Sequence, residues 1–454
     1  MLKKLTRRDK WMYGVGDVGF SLTYTIIAVF FIKFLTDVIG LSMPMAALAI
    51  FIGKTADYFN DPIIGYISDR TRSRWGRRRP FLLFGALPFA IFYILLWWHP
   101  PLQNPAALVA YYAVAFIAFD TAATFAYMPY FALTPELTSD YDERTSLTTT
   151  RMFFSILGGL LAFTLPFFIV QAFRPENSSQ FLLMGAVFGF ASAIPLILVF
   201  IGTKERREFS EMKQPGIRES IRAALKNRPF VFGLVIYLFT MVSMDILQMI
   251  LLYYIQWVVR REAQSDLIMG TIFVVALLAL PLWEFVSRKM NKRYAYITGI
   301  SFWAVVQLLL ITLGPSSPMP LLMFLCVLAG IGVSAAHVLP WSILPDAIEW
   351  DEMKTGERHE GMFYSLITLA SKVASSIALP LAMLVLSASG YVSRSLTQPT
   401  SAITGIRIVT GPIPAVLLCT GILFAYLYPL GRENYSEIAK ELEARRAAKK
   451  AGEV

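Results

Sequence analysis

Residues 53–80 read GKTADYFNDPIIGYISDRTRSRWGRRRP, and this stretch decides the fold class. It begins inside an apolar segment and ends in a dense basic cluster. Asp57 and Asp61 lie one helical turn apart at the depth expected of a membrane span. An acid there is costly, and a pair on one helix face repels itself unless a cation or a proton is present. The pattern suggests ion-coupled transport.

The composition predicts a membrane protein. Hydrophobic residues make up 56% of the 454-residue chain, and its mean hydropathy of +0.56 exceeds that of soluble proteins. Apolar stretches long enough to cross about 30 Å of hydrocarbon recur along the whole length. We predict an all-α membrane protein with twelve transmembrane helices. These spans cover residues 11–35, 42–67, 81–98, 106–133, 151–172, 181–201, 230–258, 267–286, 294–313, 318–343, 361–387 and 405–430.

The net charge of +10 does not indicate nucleic-acid binding, because the basic residues alternate between loops. Lys and Arg concentrate at the N-terminus, in every second loop and at the C-terminus, which is the positive-inside pattern. We therefore expect a multi-pass protein of the cell membrane, the inner membrane of a bacterium, with both termini in the cytoplasm. The partner of the basic clusters is then the lipid bilayer and not nucleic acid.

The longest polar interruption, around residues 202–228, separates two halves of six spans each. Residues 129–146, PYFALTPELTSDYDERTS, and 340–358, PWSILPDAIEWDEMKTGER, correspond between the halves. Such repeats are typical of transporters that rock one bundle against the other. We assign residues 1–202 to an N-terminal bundle and 230–431 to a C-terminal bundle. Residues 203–229 would form a cytoplasmic middle loop with a short amphipathic helix, and 432–454 a charged cytoplasmic tail.

Asp57, Asn60 and Asp61 project from one helical face. Sodium needs several oxygen ligands, which this turn can supply, whereas a proton needs only one acid with a raised pKa. The alternative for Asp61 is a structural pairing with the basic residues that follow it. Lys372, in SLITLASKVASSIALP, is a candidate counter-ion for both acids, and Lys54 is a second candidate for Asp57.

Other ionisable residues lie at membrane depth, where each is a candidate for function. Asp120 shares one helical stripe with Thr124 and Tyr127 in span 4, and its alternative is a structural hydrogen bond. Arg151 either binds substrate or anchors the start of span 5. Asp245 is a further candidate, while a structural role is favoured for Asp17, Glu284 and His337. Aromatic side chains that could stack on a sugar ring are Tyr253, Tyr254, Trp341 and Tyr364.

The chain carries no nucleotide-binding loop, H-E-x-x-H motif or nucleophile elbow, which argues against an enzyme or an ATP-driven pump. Cys326 and Cys419 lie far apart and are expected to be buried structural thiols. We expect no cleavable signal peptide, because the first apolar run is too long and leads into no small-residue cleavage site. No cofactor is expected besides the coupling ion, Na⁺ or H⁺.

Three stretches resemble the glycoside–pentoside–hexuronide:cation symporters, a melibiose permease-like branch of the major facilitator superfamily. They are YGVGDVG from Tyr13, DYFNDPIIGYISDRTRSRWGRRRP from Asp57 and LPWSILPDAIEWDEMKTGERHEGMFY from Leu339. The resemblance covers essentially the whole chain. It implies two pseudo-symmetric six-helix bundles and cation-coupled import of a sugar or glycoside by alternating access.

The family's cation site contains two acids and an Asn on span 2 and a Thr on span 4. The matching positions look like Asp57, Asn60, Asp61 and Thr124. The lysine that links the cation and sugar sites looks like Lys372. The arginine beside the sugar looks like Arg151.

Two positions depart from the family pattern. Carboxylates on spans 1 and 4 grip the sugar in melibiose permease, and their counterparts look like Ser21 and Tyr127. A galactoside is therefore in doubt, and a pentoside, a uronide or another glycoside is open. A carrier or exporter of a lysolipid-like amphiphile and a non-transporting ligand sensor are the alternative functions. The expected substrate-binding residues are Ser21, Asp120, Tyr127, Arg151, Trp341 and Lys372.

Overall fold

The computed structural model describes residues 5–138, 141–205, 224, 226–355 and 360–430, and every regular element in these ranges is a helix. Eleven helical segments there are long and apolar enough to cross a membrane. Span 2 is not among them because Lys54, Asp57 and Asp61 make it too polar. The all-α membrane fold expected from the sequence is confirmed.

The helices of the first half form spans 1 to 6 in chain order. Their bounds are Arg7–Gly14, Gly16–Ile26, Ile27–Phe31 and Phe34–Ile39 for span 1, Met43–Thr55 and Asp57–Arg70 for span 2, Arg79–Leu96 for span 3, Pro105–Ala132 and Thr134–Leu137 for span 4, Tyr141–Thr164 for span 5 and Ser178–Gly202 for span 6. Span 5 begins ahead of the predicted residue 151, because the helix extends beyond its apolar part.

The second half repeats this arrangement. The bounds are Arg228–Tyr253 and Tyr254–Val259 for span 7, Ser265–Leu278 and Leu280–Lys289 for span 8, Lys292–Leu310 for span 9, Met319–Thr355 for span 10, Glu360–Ala388 for span 11, and Thr400–Thr410 and Pro412–Tyr426 for span 12. Span 10 continues well past the predicted residue 343, because apolar length gives the membrane-embedded part and not the end of the helix.

Spans 1 and 7 hold corresponding positions in the two halves and end in the same way. Each finishes in a π-helical turn followed by a residue in the left-handed conformation. That residue is Gly40 after span 1, with φ 87°, and Arg260 after span 7, with φ 57°. Glycine adopts this conformation without strain, whereas arginine does so at a cost. The shared ending supports the internal repeat inferred from the sequence.

Small residues allow the spans of the first half to pack closely. A Cβ atom added at Gly19 of span 1 would clash with the backbone oxygen of Ser192 in span 6. One added at Gly158 of span 5 would lie 2.7 Å from the backbone oxygen of Val18. Such close approach of helices is a common use of glycine in membrane proteins.

We call the membrane face near Arg7 and Tyr426 the terminal side, and the face near Gly40 and Arg394 the far side. Among the described residues, the two halves have their main helix contacts along three pairs of spans. Spans 5 and 8 meet where the rings of Phe163 and Phe273 stack, with centroids 3.2 Å apart. The other two pairs are spans 1 and 7 and spans 2 and 11.

A buried ion pair lies on the far side, at the end of span 1. Lys33 is 1% exposed, and its ammonium lies 3.4 Å from Asp37 Oδ2. It also donates a hydrogen bond to Gln256 of span 7. The rings of Phe173 and Tyr253 lie 5.2 and 4.8 Å from the same nitrogen. Paired charges and aromatic faces are the usual way to accommodate a buried lysine.

The same cluster receives side chains from the second half. Tyr391, between spans 11 and 12, donates to Asp37 Oδ1 at 3.1 Å, and the hydroxyls of Thr36 and Tyr253 lie 2.8 Å apart. Burial and the nearby Asp37 carboxylate raise the pKa of Tyr391 well above its usual value, so its hydroxyl remains a donor. We call this group the far-side latch; its members are Lys33, Thr36, Asp37, Tyr253, Gln256 and Tyr391.

The assignment of residues 1–202, 203–229, 230–431 and 432–454 to two bundles, a loop and a tail stays a prediction. The tail and most of the middle loop, with much of its amphipathic helix, lie outside the described residues. Buried apolar side chains from both halves belong to one hydrophobic cluster.

Candidate functional site

The two acids of span 2 share one counter-ion. Lys372 Nζ of span 11 lies 2.7 Å from Asp57 Oδ1 and 2.8 Å from Asp61 Oδ2. The pair is therefore bridged by an ammonium group that comes from the other half of the molecule. Lys54, the other candidate partner of Asp57, forms no ion pair with it among the described contacts.

The other two expected cation ligands flank this ion pair. Thr124 Oγ1 of span 4 donates to Asp61 Oδ1 at 3.4 Å, and Asn60 Nδ2 donates to Thr121 Oγ1 at 2.8 Å. Because the contact with Thr121 uses the side-chain nitrogen of Asn60, the side-chain oxygen of Asn60 remains available as an acceptor. The spacing that places Asn60 on the same helical face as Asp57 and Asp61 gives no information about its hydrogen-bond partner. The sequence therefore does not predict the contact with Thr121.

Two carboxylates with neutral oxygens around them can hold a monovalent cation in place of the lysine ammonium. No group of three or more His, Cys, Asp or Glu side chains is arranged to bind a metal within the described part of the chain. A sodium site here would therefore depend on the neutral oxygens of Asn60 and Thr124 as well as on Asp57 and Asp61.

Asp120 lies behind the acid pair in span 4 and is 1% exposed. Tyr24 of span 1 donates to its Oδ1 at 3.3 Å, whereas its Oδ2 has no hydrogen-bond partner among the described residues. Asp57, Lys372 and Lys54 are close enough to interact electrostatically with this carboxyl group. Asp120 is thus part of the same charge cluster as the acid pair.

Asp245 of span 7 brings the second half into the cluster. Its Oδ2 accepts a hydrogen bond from Ser375 of span 11, and Lys54 of span 2 interacts with it electrostatically. The hydroxyls of Tyr58 in span 2 and Ser376 in span 11 are also hydrogen-bonded. These contacts place the cluster at the junction between the two halves.

Arg151 is engaged by an acid of its own half. Its Nε lies 2.6 Å from Asp17 Oδ2, and Tyr130 also donates to that oxygen, at 3.2 Å. The guanidinium lies 4.7 Å from the centroid of the Phe131 ring. Asp17 therefore ties span 1 to spans 4 and 5, which agrees with the structural role expected from its glycine-rich surroundings.

The remaining expected substrate ligands lie in different surroundings. Tyr127 is 2% exposed, between the rings of Phe20 and Phe89 at 4.9 and 5.4 Å. Ser21 packs beside Gly158 of span 5. Trp341 of span 10 is 42% exposed. In this conformation Trp341 presents the most accessible surface of the three.

The rings of Tyr237 and Tyr364 flank Trp341, with centroids at 4.9 and 6.4 Å from its own. Of the side chains expected only to have structural roles, His337 donates from Nδ1 to the Val333 carbonyl oxygen of its own helix, at 3.1 Å. Cys326 is buried as expected, whereas Cys419 is exposed, because its side of span 12 faces outward.

Comparison with known proteins gives the same fold and family. A solved D-xylose–proton symporter superposes with a TM-score of 0.69 at 15% identity, over 93% of this chain and 97% of that one. Residues 12–432 match the family described as MFS/sugar transport protein. The family and this structural neighbour are transporters, not enzymes.

Three curated relatives match over nearly their full length. An uncharacterized symporter of Synechocystis is 32% identical over 98% of both chains. The isoprimeverose transporter of Lactiplantibacillus pentosus is 26% identical over 90% of this chain and 85% of the relative. The sodium-dependent lysophosphatidylcholine symporter 1-A of Danio rerio is 26% identical over 97% and 89%. The chain belongs to the MFS/sugar transport family of the major facilitator superfamily, as a member of its glycoside–cation symporter branch.

Proposed function

We propose that this chain is a cation-coupled secondary symporter that imports a sugar or glycoside by alternating access. One observation carries the proposal: Lys372 Nζ bridges Asp57 Oδ1 and Asp61 Oδ2 at 2.7 and 2.8 Å. An acid pair held by a lysine of the other half can exchange that lysine for a cation. The relative named isoprimeverose transporter supports a sugar substrate.

The exchange links cation binding to the position of the two halves. Asp57 and Asp61 together need a positive partner, and Lys372 and the coupling cation compete for that place. When the cation binds, Lys372 is released from span 2 and the junction between spans 2 and 11 loosens. A cation that favours one arrangement of the halves over the other shifts the equilibrium between them.

The coupling ion is Na⁺ or H⁺, and it is the only cofactor that we propose. The neutral oxygens of Asn60 and Thr124 favour Na⁺, because a proton does not need them. The relatives named sodium-dependent symporters support the same choice. The proposed cation ligands are Asp57, Asn60, Asp61 and Thr124.

The second candidate function is transport of a lysolipid-like amphiphile. The relatives named lysophosphatidylcholine symporters favour it, and so does the wall of the first half. There the rings of Phe20, Tyr127 and Phe131 lie 4.9 to 6.2 Å from one another. An aromatic wall in place of sugar-binding carboxylates suits an apolar chain.

We further propose that the terminal side faces the cytoplasm and that the protein resides in a bacterial inner membrane. The basic residues between spans 2 and 3, in RSRWGRRR from Arg72, lie on that side. A positive excess on one face is the orientation signal of multi-pass proteins.

Counterflow in proteoliposomes tests the proposed function. Vesicles are loaded with one unlabelled glycoside, and entry of the same labelled glycoside is measured with and without Na⁺ and at two pH values. We expect exchange that Na⁺ or acid accelerates. The same assay with labelled lysophosphatidylcholine tests the amphiphile alternative, and a ligand sensor would exchange nothing in either assay.

A further inference from the structure

The central charge cluster contains more acids than bases. Asp57 and Asp61 face Lys372, whereas Asp120 and Asp245 both interact with Lys54. Four carboxyl groups therefore meet two ammonium groups at the junction between the halves. With all four carboxyl groups ionised, the cluster has no excess of positive charge even after one monovalent cation binds.

Each basic side chain described at or near this junction already has acidic neighbours. Lys372 is held by two carboxylates, and Arg151 is held by Asp17 at 2.6 Å. Lys54 interacts electrostatically with Asp120 and Asp245, without an ion pair among the described contacts. An anion that enters without a positive partner is opposed by the surrounding acids.

Asp245 has a free carboxylate oxygen at the junction. Ser375 donates to its Oδ2, and its Oδ1 has no hydrogen-bond partner among the described residues. The side chain is partly exposed, and its neighbours Ser375 and Lys54 belong to spans 11 and 2. These neighbours place Asp245 at the junction between the halves. Ser375 follows Lys372 by less than one helical turn, so the two share a face of span 11.

An aromatic surface lies on the same wall. Tyr237 precedes Asp245 on span 7 by a rise of about 12 Å along the helix. The Tyr237 ring packs edge-on against Trp341 at 4.9 Å, and Trp341 is 42% exposed. An exposed indole with a carboxylate acceptor beyond it suits a sugar ring, which presents both an apolar face and hydroxyl donors.

We propose that Asp245 is a substrate-binding carboxylate that accepts hydrogen bonds from the hydroxyl groups of a neutral glycoside, and that the site selects neutral glycosides over uronides. This inference rests on the proposed function and narrows its substrate class. In melibiose permease the sugar-binding carboxylates belong to the first half, at positions that correspond to Ser21 and Tyr127 here. In this chain we place the sugar-binding carboxylate on span 7 of the second half.

The test uses two pairs of probes that differ at one carbon. p-Nitrophenyl glucoside and p-nitrophenyl glucuronide, each as both anomers, carry a hydroxymethyl or a carboxylate group at C6. Their affinities for the purified full-length protein are measured at saturating Na⁺. We expect at least one glucoside to bind more tightly than its glucuronide by about tenfold or more. Equal or tighter binding of the glucuronide, or no binding of either glucoside, would overturn the proposal.

The variant Asp245→Asn has nearly the same shape and removes the charge. We expect it to lose about tenfold or more in glucoside affinity and to narrow the difference from the glucuronide. The matched control is Asp266→Asn, which removes an exposed acid at the start of span 8. Unchanged glucoside affinity in Asp245→Asn overturns the assignment. If the variant does not fold, the comparison of glucoside and glucuronide on the unmutated protein still tests the proposal.

Na⁺ binding measured in the same samples separates this inference from the proposed function. If Asp245→Asn loses glucoside but keeps Na⁺, both stand. If the unmutated protein binds Na⁺ but no glucoside, only the inference fails. If Asp57→Asn leaves cation binding intact while Asp245→Asn weakens the glucoside, the proposed coupling site fails and the assignment of Asp245 stands.

Discussion

The Tyr391 hydroxyl donates a hydrogen bond of 3.1 Å to Asp37 Oδ1 and so joins the two halves on the far side of the membrane. Asp37 is also the ion-pair partner of the buried Lys33, which bonds Gln256 of the second half. Alternating access requires the halves to separate on each side in turn. If the chain transports by the proposed alternating access, the far-side latch must open in every transport cycle.

We expect Tyr391→Phe to raise the population in which the far side is open. The change removes one buried hydrogen bond to a charged group, which is worth about 1.5–3 kcal/mol, or about tenfold or more in the equilibrium. A reporter cysteine at the buried Leu41, in a chain without Cys326 and Cys419, would be labelled faster by an impermeant thiol reagent.

The matched control is Tyr112→Phe, which removes a donor to the Trp98 carbonyl oxygen within the first half, at 2.8 Å. That bond does not cross between the halves, so its loss should not change labelling of Leu41→Cys. Equal labelling rates in Tyr391→Phe and Tyr112→Phe would show that the far-side latch does not hold the halves together.

The pattern of charges in the sequence predicts part of the candidate cation site. Asp57 and Asp61 in an apolar span must have a positive partner, and Lys372 is the lysine deepest in another span, so their meeting follows from the cost of unpaired charge. Lys33 and Asp37 are opposite charges one helical turn apart in FIKFLTDVIG, a spacing that indicates an ion pair. The sequence analysis did not identify this pair.

The partners contributed by other spans could not be read in this way. Within the far-side latch, the hydrogen bonds from Lys33 to Gln256 and from Tyr391 to Asp37 depend on how the two halves pack. The choice of Arg151 between substrate and anchor depends on Asp17 lying within 2.6 Å of it in the fold. Spacing along one helix fixes which residues share a face, but not which face of another helix meets them.

Membrane orientation can be tested with two exposed loop positions. We expect Gln103→Cys, between spans 3 and 4, to react with an impermeant reagent added outside cells, and Ser73→Cys, between spans 2 and 3, to be protected. The reason is the basic cluster around Ser73, which favours the cytoplasmic face. Both cysteines should react after permeabilisation. Labelling of Ser73→Cys alone in intact cells would reverse the topology.

Asp57→Asn or Asp61→Asn should abolish ion-driven accumulation of substrate. Either change leaves one carboxylate, which Lys372 can neutralise without a cation, so cation binding no longer alters the junction between spans 2 and 11. Some ligand binding should persist. Uptake against a gradient is measured in proteoliposomes with Asp266→Asn as the control. A variant that still concentrates substrate removes that acid from the coupling role.

Asn60→Cys should distinguish the two coupling ions. The change removes an amide oxygen that Na⁺ can use as a ligand but that a proton does not need. We expect stimulation by Na⁺ to be lost and stimulation by an inward proton gradient, where present, to remain. Transport by the unmutated protein that is independent of Na⁺ at every pH tested would contradict the sodium assignment.

Arg151→Gln should destabilise the fold more than it alters the substrate site. Its partner Asp17 is buried, and leaving a buried charge unpaired costs about 3–5 kcal/mol, so the unfolding temperature should fall. The double variant Asp17→Asn with Arg151→Gln removes both charges and should recover part of that loss. Thermal unfolding and glycoside affinity are measured on the two single variants and the double variant. If Arg151 binds substrate instead, Arg151→Gln will lose affinity without a comparable loss of stability, and the second change will not restore it.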